Sequence, residues 1–159
     1  MTDQNPWPDL AGRLVPGGHI LPVRVYFEDT DFTGFVYHGS YIRFMERGRS
    51  DFIRCLGVNH HDLDTGLHGE PLAFAVRHMD IDFLKPARID DLLEVRTHPI
   101  PGTGVRLMLR QSIHRGAETL VEAKLTVVAV TAAGKPRRLP DALREQLGAG
   151  VAKPAPAIE

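Results

Sequence analysis

Residues 28–41 read Glu-Asp-Thr-Asp-Phe-Thr-Gly-Phe-Val-Tyr-His-Gly-Ser-Tyr, with three carboxylates, a glycine and a histidine between a short apolar segment and a long amphipathic one. A carboxylate delivered to the N-terminal end of a helix can serve as general base or nucleophile beside backbone N–H groups that lack intrahelical partners. Such donors suit the oxyanion that forms when a carbonyl is attacked. The string therefore asks which elements hold it.

The segment before it, Leu21–Phe27, reads as a strand, with Val23 and Val25 alternating against Arg24 and Tyr26. The segment after it reads as a helix from about Gly39 to Leu56. At 100° per residue Tyr41, Phe44, Met45, Gly48, Phe52, Cys55 and Leu56 share one stripe, and Arg43, Glu46, Arg47, Ser50 and Arg54 the other side. Gly48 within the apolar stripe predicts close approach of another backbone, since glycine costs about 1 kcal/mol of helix propensity. A polar, His-rich loop then runs from Gly57 to Pro71. Four strand-like segments follow, Leu72–Phe83, Leu92–Ile100, Val105–His114 and Leu120–Thr131, separated by Lys-Pro-Ala, Pro-Gly-Thr-Gly and Arg-Gly-Ala punctuation. Short turns force antiparallel neighbours, and an apolar helix stripe needs a sheet face to cover it. The expected architecture is α+β: an antiparallel sheet of about five strands curled around one long helix, with a short C-terminal helix near Asp141–Leu147.

Composition narrows the function classes. The chain has 159 residues, one domain's worth, with 43% hydrophobic and 25% charged residues. Lys+Arg (19) nearly cancels Asp+Glu (20), so no global field recruits nucleic acid or a membrane surface. Cys55 is the single cysteine, which excludes an internal disulfide and fits a reducing, cytoplasmic setting. No apolar run is long enough to span a bilayer, and the prolines and aspartates near the start do not suit a signal peptide. The expected boundaries are a flexible N-terminal segment at 1–19, a folded domain at 20–147 and a flexible tail at 148–159.

The motifs resemble those of the hotdog-fold acyl-CoA thioesterases, specifically the 4-hydroxybenzoyl-CoA thioesterase group and its Tol-Pal-associated branch. The matching residues are Val23-Arg24-Val25-Tyr26-Phe27-Glu28-Asp29-Thr30-Asp31, Gly34-Phe35-Val36-Tyr37-His38, Glu46-Arg47-Gly48-Arg49, Phe74-Ala75-Val76-Arg77 and Pro86-Ala87-Arg88 running on to Val95. The late Lys135-Pro136-Arg137 and Leu139-Pro140 also match. The resemblance implies a hotdog fold over roughly residues 21–147, with Asp31 as the catalytic carboxylate. It also implies that the backbone N–H at His38 polarises the thioester carbonyl, with the His38 side chain among the active-site residues, and that Gly34 and Tyr37 face substrate. The Tol-Pal branch usually carries tyrosine where this chain has Phe27, so any role of that phenol is lost.

Thioester hydrolysis is compatible with so small a set of groups. A thiol of pKa near ~8.5 leaves as thiolate without a strong general acid. Asp31 as base or as nucleophile are both open. Asp29 is expected to be structural, and His38 divides between a packed loop histidine and a site residue. Glu46 is the rival carboxylate, because another hotdog branch works with a glutamate on the central helix; its place on the polar arc beside Arg43, Arg47 and Arg49 favours an ion pair. His60, His61 and His68 with Asp62 and Asp64 carry metal-compatible chemistry in a loop that makes a poor cage. Ser40 lacks a nucleophile-elbow context, and Cys55 reads as a packed apolar side chain. No metal or cofactor is expected.

The substrate expected from the resemblance is a short-chain or aromatic acyl-CoA. Lys85, Arg88, Arg106, Lys135, Arg137 and Arg138, in or near turns, are candidates to meet its phosphates, with Lys85, Arg88 and Arg137 singled out. The resemblance further implies a homodimer or homotetramer with pantetheine entering between subunits and a link to Tol-Pal components, while the charge balance and the short apolar runs lead to the expectation of no nucleic acid and no membrane insertion. The alternative reading is a non-catalytic hotdog module that binds an acyl-CoA or a protein; a hotdog dehydratase or hydratase, which would leave the thioester intact, is a third.

Overall fold

Alternating side chains build the sheet. In the strand Glu118–Val130 the odd positions Val121, Ala123, Leu125, Val127 and Ala129 are buried, and Glu122 and Lys124 face out. Residues 12–58, 60–66, 70–100, 106–139, 141, 144, 145 and 147 are described in a computed structural model of the chain. Their elements are β1 (Arg13–Val15), β2 (Gly18–Arg24), α1 (His38–Cys55), α2 (His60–Asp64), β3 (Ala73–Phe83), β4 (Leu92–Ile100), β5 (Arg106–Arg115), β6 (Glu118–Val130) and β7 (Pro136–Arg137). All pairings are antiparallel, in the order β1-β2-β4-β5-β6-β3, with β7 on the end of β6. This is the expected sheet curled around one helix. Five strands are long, and β1 and β7 add two short ones.

The α1 stripe is buried as the wheel predicts. Tyr41, Phe44 and Met45 pack with Val23, Val25, Leu93, Val95, Ile113 and Val121. Phe52 and Ile53 pack with Leu72, Ala129 and Leu139 in a second cluster towards the helix C-terminus. Gly48 does admit a close neighbour, but a side chain rather than a backbone: a Cβ there would stand 2.8 Å from Val95 Cγ1 and 3.4 Å from Thr97 Oγ1.

Several boundaries differ from expectation. The segment expected to be flexible to residue 19 contains β1 and the start of β2, because Pro16-Gly17 makes a hairpin turn, with Gly17 at φ 79°, that pairs Val15 with Gly18. The first long strand ends at Arg24 rather than Phe27. There the Asp29 carboxylate accepts the Tyr26 amide at 2.8 Å and closes a 3₁₀ turn over Phe27–Asp29. Buried Asp29 thus holds the structural place expected of it. Part of the His-rich loop is α2. Of the expected C-terminal helix, Asp141, Arg144, Glu145 and Leu147 are helical. The tail 148–159, His68 and the Pro101–Val105 turn lie outside the described residues.

Candidate active site

The loop before α1 is tied at both ends. Thr30 bridges Val36, the Asp31 amide donates to the Phe35 carbonyl at 3.0 Å, and the Tyr37 amide donates to the Asp29 carbonyl at 2.9 Å. The turn between closes with the Gly34 amide on the Asp31 carbonyl at 3.0 Å. Gly34 sits at φ 84°, the left-handed region that favours glycine. The ladder sets Asp29 opposite Tyr37, where α1 begins, and Asp31 opposite Phe35 at the turn, with its carboxylate within electrostatic reach of His38.

Asp31 is exposed and has its own orienting group. Both the Thr33 amide, at 2.8 Å, and the Thr33 hydroxyl donate to Asp31 Oδ1. Oδ2 takes no hydrogen bond among the described residues. The Thr33 hydroxyl, then its amide, and more weakly the nearby His38, hold the carboxyl below the ordinary carboxylate range. At neutral pH it is ionised, with one oxygen fixed and one available to a water or an acyl carbon. The sequence reading does not single out Thr33. The available signal is the Asp-x-Thr spacing, which lets a side-chain oxygen cap the amide two residues on.

The helix start is unguarded. Tyr37 holds the N-cap position in extended backbone without a side-chain cap, and the first turn has no acidic residue. The Ser40 amide returns to the Tyr37 carbonyl at 2.8 Å, so among the described residues the His38 and Gly39 amides are left for an external acceptor. The Tyr37 ring lies 4.4 Å from that of His38 and overhangs Gly39, where a Cβ would stand 2.6 Å from Tyr37 Cε1. Phe83, at the end of β3, closes in on His38 and Tyr41 at 6.1 and 5.9 Å between ring centres. The Tyr41 hydroxyl accepts the buried Ala87 amide at 2.9 Å, fixing the segment after β3 against α1.

The basic candidates divide. Arg88 lies 4.3 Å over the Phe35 ring, on the loop that carries Asp31, and residues 35 and 88 form a bridge. Lys85 sits on the same segment but pairs with Glu118 at 3.4 Å. Within one chain the structure does not bring Arg137 to Asp31. Its guanidinium donates to the Glu70 carbonyl at 2.7 Å, and its strand partner Ala129 is eight positions along β6 from Val121, the partner of Phe83. At ~3.4 Å per residue that separation is about 27 Å.

Glu46 lies along α1 from this end, accepts the Ser50 hydroxyl at 2.8 Å, and borders an apolar cavity of about 100 Å³ lined by Phe74, Val76, Leu107 and Leu109 among others. A second cluster escapes the wheel. Asp51, on the apolar stripe, accepts from His19 Nε2 at 2.7 Å and from the Gly12 amide at 2.8 Å, with Cys55 Sγ at 3.7 Å. Burial pushes the His19 imidazole towards neutrality, and burial together with Asp51 pushes the Cys55 thiol up. These three are the one metal-compatible group among the described residues. However, His19 Nδ1 is buried with no partner, whereas a ligating imidazole almost always donates its other N–H. The cluster fits a latch between the N-terminal hairpin and α1 better than a metal cage.

Residues 33–126 match the family model described as Thioesterase superfamily. An acyl-CoA thioester hydrolase YbgC of Escherichia coli is 43% identical over 124 residues, covering 77% of this chain and 90% of the relative. An acyl-CoA thioesterase YbgC of Haemophilus influenzae is 39% identical over 117 residues, covering 74% and 84%. Among solved structures, a probable thioesterase from Bartonella henselae superposes with TM-score 0.76 at 47% identity, covering 77% of this chain and 99% of that one. With a sheet curled about one helix, an open helix N-terminus and these relatives, the chain belongs to the thioesterase superfamily and has its hotdog fold.

Proposed function

We propose that this protein hydrolyses the thioester of a short-chain or aromatic acyl-CoA to the free acid and coenzyme A. The observation that supports the reading is the Asp31 carboxylate, oriented through one oxygen by Thr33 and within electrostatic reach of His38, on the loop that leads into the uncapped start of α1. As general base, Asp31 takes a proton from water as the oxygen adds to the acyl carbon. The oxyanion of the tetrahedral intermediate meets the helix amides, and the carbon–sulfur bond breaks to release thiolate. As nucleophile, the same carboxylate forms an anhydride that water then opens. Both routes end in the same products. Tyr37, His38 and Gly34 shape the entrance, and Arg88 stands where a phosphate of the carrier can meet it.

The isolated chain leaves this site uncovered. Asp31 is exposed, Phe27 is 82% exposed, and Phe32 is exposed throughout. Among the described residues strand β3 ends the sheet, with no strand paired to its outer edge. Pairing that edge with a second copy about a two-fold axis covers both features. It brings the Ala73 end of the partner's β3 to this chain's Phe83. The partner subunit's Arg137 then joins Arg88 at the mouth of the site, an arrangement one chain alone does not provide. Tetramers built from such dimers, and the Tol-Pal link suggested by the resemblance, belong to the same proposal.

The test is thiol release from a panel of acyl-CoA thioesters of different chain length and aromaticity, followed with a thiol reagent. Wild-type protein releases thiol, and Asp31→Asn loses about a hundredfold or more of kcat/KM while keeping the native circular dichroism spectrum. Wild-type-like turnover by Asp31→Asn removes Asp31 from the mechanism. Binding without thiol release by the wild type makes the chain a binding module instead.

A further inference from the structure

The core leaves part of the inner sheet face without a helix over it. α1 lies chiefly over β1, β2, β4 and β5. Leu109, Leu125 and Val127 form a cluster of their own with Phe74, Met79 and Leu107, all from β3, β5 and β6 and none from the helix. Between that cluster and the flank of α1 that carries Arg49 and Ile53 lies the cavity of about 100 Å³ that Glu46 borders. Phe74, Val76, Leu107 and Leu109 give it an apolar floor. A ~150 Å³ cavity of this kind takes the six carbons of benzene, so about four carbons fit here.

Arg49 puts a positive charge at one end of that cavity. Leu107, Leu109 and Gln111 alternate along β5 on its inward side. Arg49 Nη1 donates at 3.0 Å to Gln111 Oε1, so the guanidinium stands at the Gln111 end and the apolar floor runs away from it towards Leu107. Arg49 is half-buried, and burial lowers the pKa of its guanidinium, an effect that the charge of Glu46 one turn earlier opposes. The Gln111 amide is neutral and locked, because its Nε2 donates at 2.9 Å to both the Met45 carbonyl and Thr97 Oγ1. Among the described residues no carboxylate stands within ion-pair distance of Arg49. Glu46, on the rim, is exposed and accepts the Ser50 hydroxyl. With Nη1 engaged, Nε and Nη2 remain as the side-by-side donors that a carboxylate takes in bidentate fashion.

We propose that this cavity binds a short-chain carboxylic acid, its carboxylate on Arg49 Nε and Nη2 and its alkyl tail over Leu109 and Leu107. The two halves of the ligand follow from the two halves of the cavity: a desolvated cation with a neutral partner favours an anion, and an apolar floor favours a hydrocarbon chain. The site is separate from Asp31 within the chain. Phe83 closes on His38, and Phe74 stands nine positions earlier in β3, about 30 Å away at ~3.4 Å per residue. The acid released by the hydrolysis proposed above belongs to this chemical class, so the cavity is a place for product away from the reacting carboxylate. That link to product rests on the thioesterase reading, whereas the binding site itself does not.

Calorimetric titration of the full chain with pentanoate, pentanamide and acetate tests this. Pentanoate is expected to bind saturably. Pentanamide, which keeps the tail and loses the charge, is expected to bind about tenfold more weakly or less, and acetate, which keeps the charge and loses the tail, to fall by a similar factor. Arg49→Met is expected to weaken pentanoate about tenfold or more with an unchanged circular dichroism spectrum. Leu107→Phe, which adds bulk to the floor, is expected to weaken pentanoate and leave acetate unchanged. If neither variant folds, the three ligands on the wild type decide the question. No saturable binding of pentanoate, pentanamide binding as tightly as pentanoate, or a folded Arg49→Met that binds pentanoate like the wild type each overturns the site. None of these measurements involves thiol release, so their failure leaves the thioesterase reading standing. A protein that binds pentanoate and releases no thiol from acyl-CoA keeps the cavity site and loses that reading.

Discussion

Replacing Thr33 by valine keeps the size of the side chain and removes one hydroxyl, which in this structure is the first cause of the lowered Asp31 pKa. The Thr33 amide still donates to Oδ1 at 2.8 Å, so the carboxylate loses one of its two tethers and not both. Displacement of a reacting group by about 1 Å can cost ~10²-fold. With one tether kept, the expected loss in kcat/KM is about tenfold, well short of the loss expected for Asp31→Asn. The direction of the pH effect is fixed by the same bond. Thr33 stabilises the ionised carboxyl, so removing its hydroxyl raises the Asp31 pKa, and the acid limb of the kcat/KM profile moves to higher pH. Thr33→Ser, which restores a hydroxyl, should return both the rate and the limb. The assay is acyl-CoA turnover against pH with the thiol followed directly. A Thr33→Val enzyme with wild-type kcat/KM and an unmoved acid limb would refute the claim that Asp31 works from the oriented state seen here.

Two further substitutions test how the scaffold holds the site. Gly48→Ala puts a methyl 2.8 Å from Val95 Cγ1 in a fully buried place; overpacking of about 1–3 kcal/mol exceeds the ~1 kcal/mol gain in helix propensity, and a fall of about 2–4 °C in Tm is expected. A Tm that rises would mean the sheet yields at that point. Tyr41→Phe deletes the acceptor of the buried Ala87 amide and should cost about 1–3 kcal/mol. Because Ala87 also receives the Val36 amide, hydrogen exchange at Val36 should quicken with it, and unchanged exchange there would uncouple the two segments.

Much of this was legible because periodicity survives folding. The α1 stripe and the odd positions of β6 are buried as their spacing requires, since a helix or strand has only one face to offer the core. The acidic loop was legible as a site because carboxylate, glycine and helix start lie within a dozen residues. What spacing does not carry is who answers a polar group from far along the chain. Asp51 lies on the apolar stripe at an angle that demands burial, and its partners Gly12 and His19 come from a Pro/Gly-rich stretch that composition alone reads as flexible. Arg49 is the same case on the other flank, its partner Gln111 being 62 residues away.

The Asp51 latch yields a prediction with a sign. Asp51→Ala strands the Gly12 amide and His19 Nε2 in a dry place, and the loss is expected to be about 3 kcal/mol, or about 6–12 °C in Tm. Burial holds the folded His19 below the ordinary imidazole pKa. Above about pH 6.5 the imidazole is neutral in folded and unfolded chains alike, and the latch contributes no pH dependence. As the pH falls below that value the unfolded chain takes up a proton that the folded chain refuses, so stability declines with acidification until His19 itself titrates. Arg54 stands 3.5 Å from Asp51, and the Cys55 thiol beside it is pushed up by burial and by Asp51, so it stays neutral in that window. His114, also pushed down by burial and by Arg96, slopes the same way but is present in both proteins under comparison. His19→Gln, which cannot take up the proton, should therefore flatten the decline in Tm between about pH 6.5 and pH 5 relative to wild type. A wild-type Tm that instead rises relative to His19→Gln as the pH falls would show that the folded imidazole holds its proton and that the latch is an ion pair, and parallel curves would show that burial does not move the His19 pKa.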